Sequence, residues 1–201
     1  MIFLGGLLRM QIKKEEIKNK IAEVATNEFL KKGYENSSMR IIAKKAHTSI
    51  GNMYHYYPNK EELLKFIIMP TINVVEENLS KHVCLEENKV LTKESALLYL
   101  DDLDSFLEKS GFKYFLNKNI IILLKLESTD LVVYKERIIN NLCNHLKWHL
   151  NIADFHYSKM IINMLIDCIK YILIEYDDSY EAYLQFSKIF RILCTGLIGQ
   201  I

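Results

Sequence analysis

Ser37-Ser38-Met39-Arg40-Ile41-Ile42-Ala43-Lys44-Lys45-Ala46-His47-Thr48-Ser49-Ile50-Gly51-Asn52-Met53-Tyr54-His55-Tyr56-Tyr57-Pro58-Asn59-Lys60-Glu61-Glu62-Leu63-Leu64 is the stretch that decides how this chain folds. Its apolar positions Met39, Ile42, Ala43 and Ala46 recur at helical spacing and form one short buried face. Ser37 or Ser38 supplies an N-cap oxygen for that helix. The pattern breaks at His47-Thr48, and Thr48 or Ser49 caps a second short helix that runs through Tyr56 and stops at Pro58. Asn59 followed by Glu62 has capping-box spacing for a further helix through Leu63, Leu64, Ile67 and Ile68, which Pro70 kinks on its way towards Lys81.

Upstream, Ile17, Ile21, Ala25 and Phe29 fall four apart, with Val24 beside them, and predict a helix over Lys13–Lys32 that Gly33 ends as a C′ residue. Two short helices joined by a tight turn, the second rich in exposed polar groups, make a helix-turn-helix. In such a unit the first helix braces across a nucleic-acid backbone and the second enters the major groove.

The residues from Phe29 through Gly33-Tyr34, Ser37-Ser38-Met39-Arg40, Ile42-Ala43 and Ser49, and on through Tyr54-His55-Tyr56-Tyr57-Pro58 to Lys60-Glu61-Glu62-Leu63, closely resemble the tetracycline-repressor (TetR) family. The resemblance covers about a quarter of the chain, from Lys13 to Leu64. It implies a double-stranded DNA operator as partner. Ser37 then stands where a hydroxyl meets a phosphate. Ile50, Gly51 and Asn52 open the recognition helix towards base edges, and Asn52 is the side chain suited to pairing with adenine. Tyr54 and His55 face the sugar-phosphate backbone, Lys60 meets a phosphate, and Ser38, Arg40 and Ser49 complete the expected contact surface. The chain departs from the family pattern at three places. His47 holds a turn position usually given to glycine, Ile50 replaces a common polar or basic residue, and Ile41 replaces an acidic one.

Charge distribution points the same way. Residues 10–60 carry ten Lys/Arg against five Asp/Glu, whereas 61–201 carry fifteen against twenty, so the excess of positive charge sits where a polyanion is expected. Seven Gly and two Pro in 201 residues disfavour a strand-rich fold. Cys84, Cys143, Cys168 and Cys194 form no CxxC pair and read as small buried hydrophobes of a reduced, cytoplasmic protein. Met1–Leu8 is apolar but too short to span a membrane and lacks a basic flank or a small-residue cleavage site; it is a docked or disordered extension, or a sign that Met10 is the true start.

The remainder is helix after helix: Thr92–Lys109, Phe112–Leu126, Asp130–Leu150, Phe155–Tyr176 and Ser179–Leu197. The expected fold is all-α, with an N-terminal three-helix helix-turn-helix domain over residues 10–70 (the helix-turn-helix itself 38–57) joined to a C-terminal helical domain over 71–201 for effector binding and dimerisation. The wide apolar stripes of the last two helices, Met160, Ile161, Met164, Leu165, Cys168, Ile169 and Ile172 on one and Tyr183, Phe186, Ile189, Phe190, Leu193 and Leu197 on the other, suit a homodimer or one subunit's own core. Tyr99, Phe106, Phe115, Tyr134 and Trp148 are candidates to line a small-molecule pocket. His145 and His149, one helical turn apart, read as a surface pair, and no metal or other cofactor is expected. No phosphate loop, nucleophile elbow or paired-carboxylate site is present, which argues against an enzyme. The leading expectation is a DNA-binding repressor relieved by a small molecule; the alternative is a regulator of the same fold that acts through protein partners without a ligand.

Overall fold

The computed structural model describes residues 2–86, 92–151 and 154–199. Among them it has ten α-helices and no strand: α1 (Ile2–Lys32), α2 (Met39–Lys45), α3 (Ile50–Tyr56), α4 (Lys60–Glu86), α5 (Lys93–Asp101), α6 (Leu103–Lys109), α7 (Lys118–Leu124), α8 (Val132–His149), α9 (Phe155–Glu175) and α10 (Ser179–Ile198), with a 3₁₀ turn at Phe112–Phe115. Met1 lies outside the described residues; α1 is helical from Ile2 and passes unbroken through Met10 to the stretch where the periodicity places it.

The periodic face of α1 is buried as expected, with Ile21, Ala25 and Phe29 shut off from solvent. They meet Ile42 of α2, Met53 of α3, and Leu63, Leu64, Ile68 and Ile72 of α4. This core does not stop at the third helix. It continues through Ile122 and Leu123 of α7, Leu142 and Cys143 of α8 and Ile162 of α9, so α4 is shared by both ends of the molecule. A second core joins Leu107, Ile121, Leu165, Ile169, Phe186 and Phe190. α4 stays one helix through Pro70. The ring removes a backbone donor there. Asn119 of α7 donates to the carbonyl of Ile67 at 3.2 Å and to Thr71 Oγ1 at 3.3 Å, which fastens α7 across the turn that proline weakens.

Two expected helices are broken. Thr92–Lys109 is split at Asp102 (φ −117°, ψ 58°), whose N–H closes α5 on Leu98 and whose carbonyl opens α6. The bend sends Leu100 to the Ile198 end of α10 and Leu103 to the second core, two targets that one straight helix does not reach. Phe112–Leu126 is split because Asn117 turns its side chain onto the N–H of Asn119 at 2.9 Å and starts α7 afresh. Gly111 precedes the 3₁₀ turn at φ 75°, and a Cβ there falls 2.8 Å from that of Asn78 on α4, so only glycine fits. Of the cysteines, Cys143 is buried and Cys168 and Cys194 are half-buried, all three as free thiols; the Cys84 side chain lies outside what is described.

One ion pair beside the first core has its carboxylate buried and its two lysines half-exposed. The Glu28 carboxylate is almost fully enclosed, bonded to Lys45 of α2 and 3.1 Å from Lys32. Its hydrogen bond to Lys45 holds it below the usual carboxylate value of 4.5, against the upward pull of burial, and Lys32 adds to the effect. A depressed folded pKa gives stability that is full above pH 4.5 and fades as pH falls through the folded value. Glu28→Gln is therefore expected to cost about 2 kcal/mol at pH 7, a drop of roughly 4–8 °C in Tm. Urea melts should show this difference from wild type shrinking as pH is lowered below 4.5; a gap that stays constant to pH 3 would show that Glu28 acts by shape, not charge.

Candidate nucleic-acid interface

The turn between α2 and α3 fixes the angle at which α3 leaves the core. His47 sits at φ 55°, the left-handed region. Its N–H bonds to Lys44 O at 3.2 Å, and the N–H of Thr48 reaches back to Ala43 O at 3.0 Å. That pair of bonds is the Schellman closure of a helix, with His47 in the place glycine usually takes. The substitution leaves the turn's geometry intact and stores strain in it.

α3 is held at both ends. Ser49 caps it by accepting the N–H of Asn52 at 3.1 Å. Met53 is buried beneath it, and Tyr57 beyond it is buried with its hydroxyl donating to Lys18 O at 3.2 Å. Burial holds the Tyr57 phenol above its ordinary value, with Glu15 adding to the shift, so it stays protonated. What remains outward is a small exposed surface formed by Ile50, Gly51, Tyr54 and His55, with Asn52 half-exposed among them. A Cβ at Gly51 meets nothing within 4 Å, so close approach to this spot is unobstructed. Asn52 Nδ2 donates to Thr48 Oγ1 at 2.8 Å. The amide keeps one further N–H and its carbonyl oxygen, which is the set that adenine N7 and N6 require. Ile41 and Ile50 are both more than a third exposed, an apolar pair beside the polar surface. Arg40 and Lys44 lie exposed on α2.

Two expected phosphate contacts are engaged internally. Ser37 is buried, and its hydroxyl donates to Gly33 O at 2.6 Å. The Lys60 ammonium donates to the carbonyls of Tyr34 (2.8 Å), Glu35 (3.3 Å) and Ser37 (3.1 Å) and lies 4.2 Å from the Tyr34 ring centre. Burial lowers the Lys60 pKa and Glu35 opposes that shift. Three carbonyls use all three donors of an ammonium. Lys60 thus holds the α1–α2 loop instead of standing open to solvent. Ser38 occupies the N-cap position of α2 without a side-chain cap bond. The Asn59 side chain accepts the N–H of Glu62 at 2.8 Å, as the spacing predicts.

The C-terminal helices line a partly open cavity of about 160 Å³. Tyr99 and Phe106 line it, while Phe115 lines a smaller neighbouring one. Tyr134 and Trp148 line neither. Tyr134 packs against the first core and the Arg137 guanidinium, and Trp148 against His145 and His149. The histidine pair is not a surface pair: both rings are half-buried in the cavity wall, with Nε2 atoms 2.8 Å apart. The reading of α8 missed this because the polar residues around the pair mask the apolar face they share. Among the described residues no group of three His, Cys, Asp or Glu is placed to hold a metal, and no helix is long and apolar enough to cross a membrane.

On α9, Met160, Met164, Tyr171 and Ile174 are exposed at helical spacing, and Ile192 of α10 is exposed as well. Leu165, Ile169, Ile172, Phe186 and Phe190 of the same helices point into the second core. The stripes are therefore divided: Leu165, Ile169, Ile172, Phe186 and Phe190 serve one subunit's interior, while Met160 and Met164 belong to an apolar face left outside.

A capped short helix that presents glycine, an amide and hydroxyls beside a basic partner helix defines the class of the head: a helix-turn-helix. Residues 21–67 match the family model for bacterial regulatory proteins, tetR family. The chain is also similar to the HTH-type transcriptional regulator PksA of Bacillus subtilis (strain 168), 33% identical over 91 residues. That match spans 45% of this chain and 42% of the relative, less than half the length of either. The solved structure of a TetR-like transcriptional regulator from Rhodococcus sp. RHA1 superposes over 89% of this chain and 93% of its own, with TM-score 0.51 and 17% identity, and so shares the fold. The TetR family transcriptional regulator PfmR from Thermus thermophilus matches over 87% and 96%, with TM-score 0.49 and 16% identity. The family model and the curated relative are both described as regulators.

The strain at the turn is measurable. His47→Gly removes a left-handed side chain and is expected to stabilise the protein by about 1 kcal/mol, raising Tm by roughly 2–4 °C, whereas His47→Val is expected to lower it. Calorimetry of the two variants checks the sign; a loss of stability in His47→Gly would mean the imidazole makes a contact that outweighs the strain.

Proposed function

We propose that this chain is a transcriptional regulator that binds an operator in double-stranded DNA as a homodimer in the cytoplasm, and that a small molecule in the C-terminal cavity relieves its repression. The observation that carries the DNA-binding reading is the seating of α3. Ile50, Gly51, Asn52, Tyr54 and His55 face outward over a fully buried Met53, inside the segment that matches the family model. The reading head comprises residues 10–70 and the effector and pairing domain 71–201.

The roles of individual side chains follow from their exposure. Asn52 reads an adenine edge, Ile50 contacts a thymine methyl, and Tyr54, His55, Arg40, Ser38 and Ser49 position the backbone. Lys60 and Ser37 act one step back, by fixing the loop from which α2 starts. Dimerisation is supported by the outward face of α9 and α10, where Met160, Tyr171 and Ile192 are each about two-thirds exposed, a concentration of apolar side chains unusual for a free surface. The cavity supports a ligand-controlled regulator over one that works through protein partners alone.

Titration of the purified protein with salt, against the DNA immediately upstream of its own gene and against random DNA, tests the reading. Preference for the upstream DNA and a fall in affinity with salt are expected. Asn52→Ala should cost about 1–3 kcal/mol on the operator and nothing on random DNA. Equal, weak binding of both DNAs by wild type would contradict the proposed operator.

Pairing has its own check. Met164→Glu places a charge in the centre of the α9 face without touching either core. Sedimentation should show a folded monomer with operator affinity lowered at least about tenfold. A Met164→Glu protein that remains dimeric would place the interface elsewhere.

A further inference from the structure

We infer that Thr48 decides which base Asn52 reads, by holding one amide hydrogen of Asn52 so that the side chain accepts adenine and rejects guanine. This deepens the proposed role of α3 at the operator and rests on it.

Asn52 is held from two sides. Its backbone N–H donates to the Ser49 hydroxyl at 3.1 Å, and its side-chain Nδ2 donates to Thr48 Oγ1 at 2.8 Å. Both acceptors belong to the two residues immediately before α3. Thr48 is set in turn by the tight turn: its N–H bonds to Ala43 O at 3.0 Å, next to the left-handed His47. The Asn52 side chain is half-exposed, so the amide atoms not used inside the protein are the ones that meet a ligand.

The shape of α3 brings base edges to that amide. Successive helical residues are turned by about 100°. With Met53 fully buried, Gly51 and His55 point most directly outward, and Ile50 and Asn52 flank Gly51 on opposite sides. A Cβ at Gly51 meets nothing within 4 Å, so nothing of the protein stands between the groove and the amide.

Hydrogen-bond pairing then selects the base. A carboxamide has two N–H donors and one carbonyl oxygen. Thr48 takes one donor, which leaves one donor and one acceptor. Adenine presents the complement in the major groove, an N7 acceptor beside an N6 amino donor. Guanine presents N7 and O6, two acceptors, and so sets an oxygen against the Asn52 carbonyl. α3 offers guanine no substitute reader of the usual kind: Ile50–Tyr56 contains no Lys or Arg. Arg40, the one arginine between residues 10 and 60, stands on α2, the helix that braces across the backbone in such a unit.

The test is selection of binding sites from a library of random DNA duplexes by the full chain, as wild type, Asn52→Ala, Thr48→Val and Thr48→Ser. The base pair read by Asn52 is the one whose preference vanishes in Asn52→Ala. Wild type is expected to prefer adenine to guanine there by at least about tenfold. Thr48→Val keeps the branched shape and removes the acceptor, so the ratio should fall to within about threefold. Thr48→Ser keeps the hydroxyl and should keep the wild-type ratio. A general loss of structure weakens binding to every base alike and leaves the ratio unmoved, so the ratio reports the positioning of the amide. A second measurement uses wild type alone. In the selected site that adenine is replaced by purine, which lacks the 6-amino group, or by 7-deazaadenine, which lacks the N7 acceptor. Each replacement should weaken binding at least about fivefold. Guanine at the Asn52 position, an unchanged ratio in Thr48→Val, or full affinity for the purine-substituted site would overturn the role of Thr48 and leave α3 a DNA reader. If wild type enriches no sequence at all, the DNA reading falls, and this inference with it.

Discussion

The Lys60 ammonium is the interaction on which the arrangement of the two ends depends. It is the first residue of α4, yet it bonds to three carbonyls of the loop between α1 and α2 and lies over the Tyr34 ring. A single side chain thereby fixes the end of α1, the start of α2 and the start of α4 relative to one another. The carbonyls it satisfies sit in a loop with no strand or helix partner for them, and a half-buried ammonium needs such acceptors to offset its lost hydration. The same loop is tied on its far side. The Glu35 carboxylate accepts the N–H of Glu127 at 3.1 Å and the hydroxyl of Ser128 at 3.4 Å, both in the segment between α7 and α8. Burial raises the Glu35 pKa, and the donors from 127 and 128 outweigh it, so the carboxylate is held below its ordinary value.

These ties give a physical route between the cavity and the head. α8 carries His145 and His149 at one end and begins beside the 127–131 segment at the other. α4 passes from the Lys60 clamp through a core that it shares with α7, α8 and α9. On the proposed function, a ligand that prefers one position of α8 acts on the α1–α2 loop through Glu35 and on α4 through shared side chains. It shifts operator affinity only by as much as it distinguishes the two arrangements.

Much of this was legible in the sequence, for identifiable reasons. Local rules sufficed for the head: the four-residue spacing of Ile21, Ala25 and Phe29, the cap at Ser49, the half of a capping box at Asn59, and the tolerance of histidine for a left-handed turn at His47. What was not legible depends on partners distant in sequence. Asp102 and Asn117 break helices whose apolar spacing is continuous, because neighbouring leucines and phenylalanines serve different cores. Lys60 looks like a solvated lysine until the loop 23 to 26 residues earlier is placed over it. Tyr134 and Trp148 share a helix with four cavity residues but do not line the cavity themselves, and aromatic content alone does not tell which face a cavity takes.

The central claim is that two copies of α3 enter the DNA major groove as a pair. Hydroxyl-radical footprinting and guanine-methylation interference on the operator bound by the wild-type chain test it most directly. The account predicts a footprint with two-fold symmetry, interference at major-groove purines, and two half-site centres separated by one helical turn or a multiple of it, about 34–36 Å each. A single unpaired patch, or protection without major-groove interference, would contradict it.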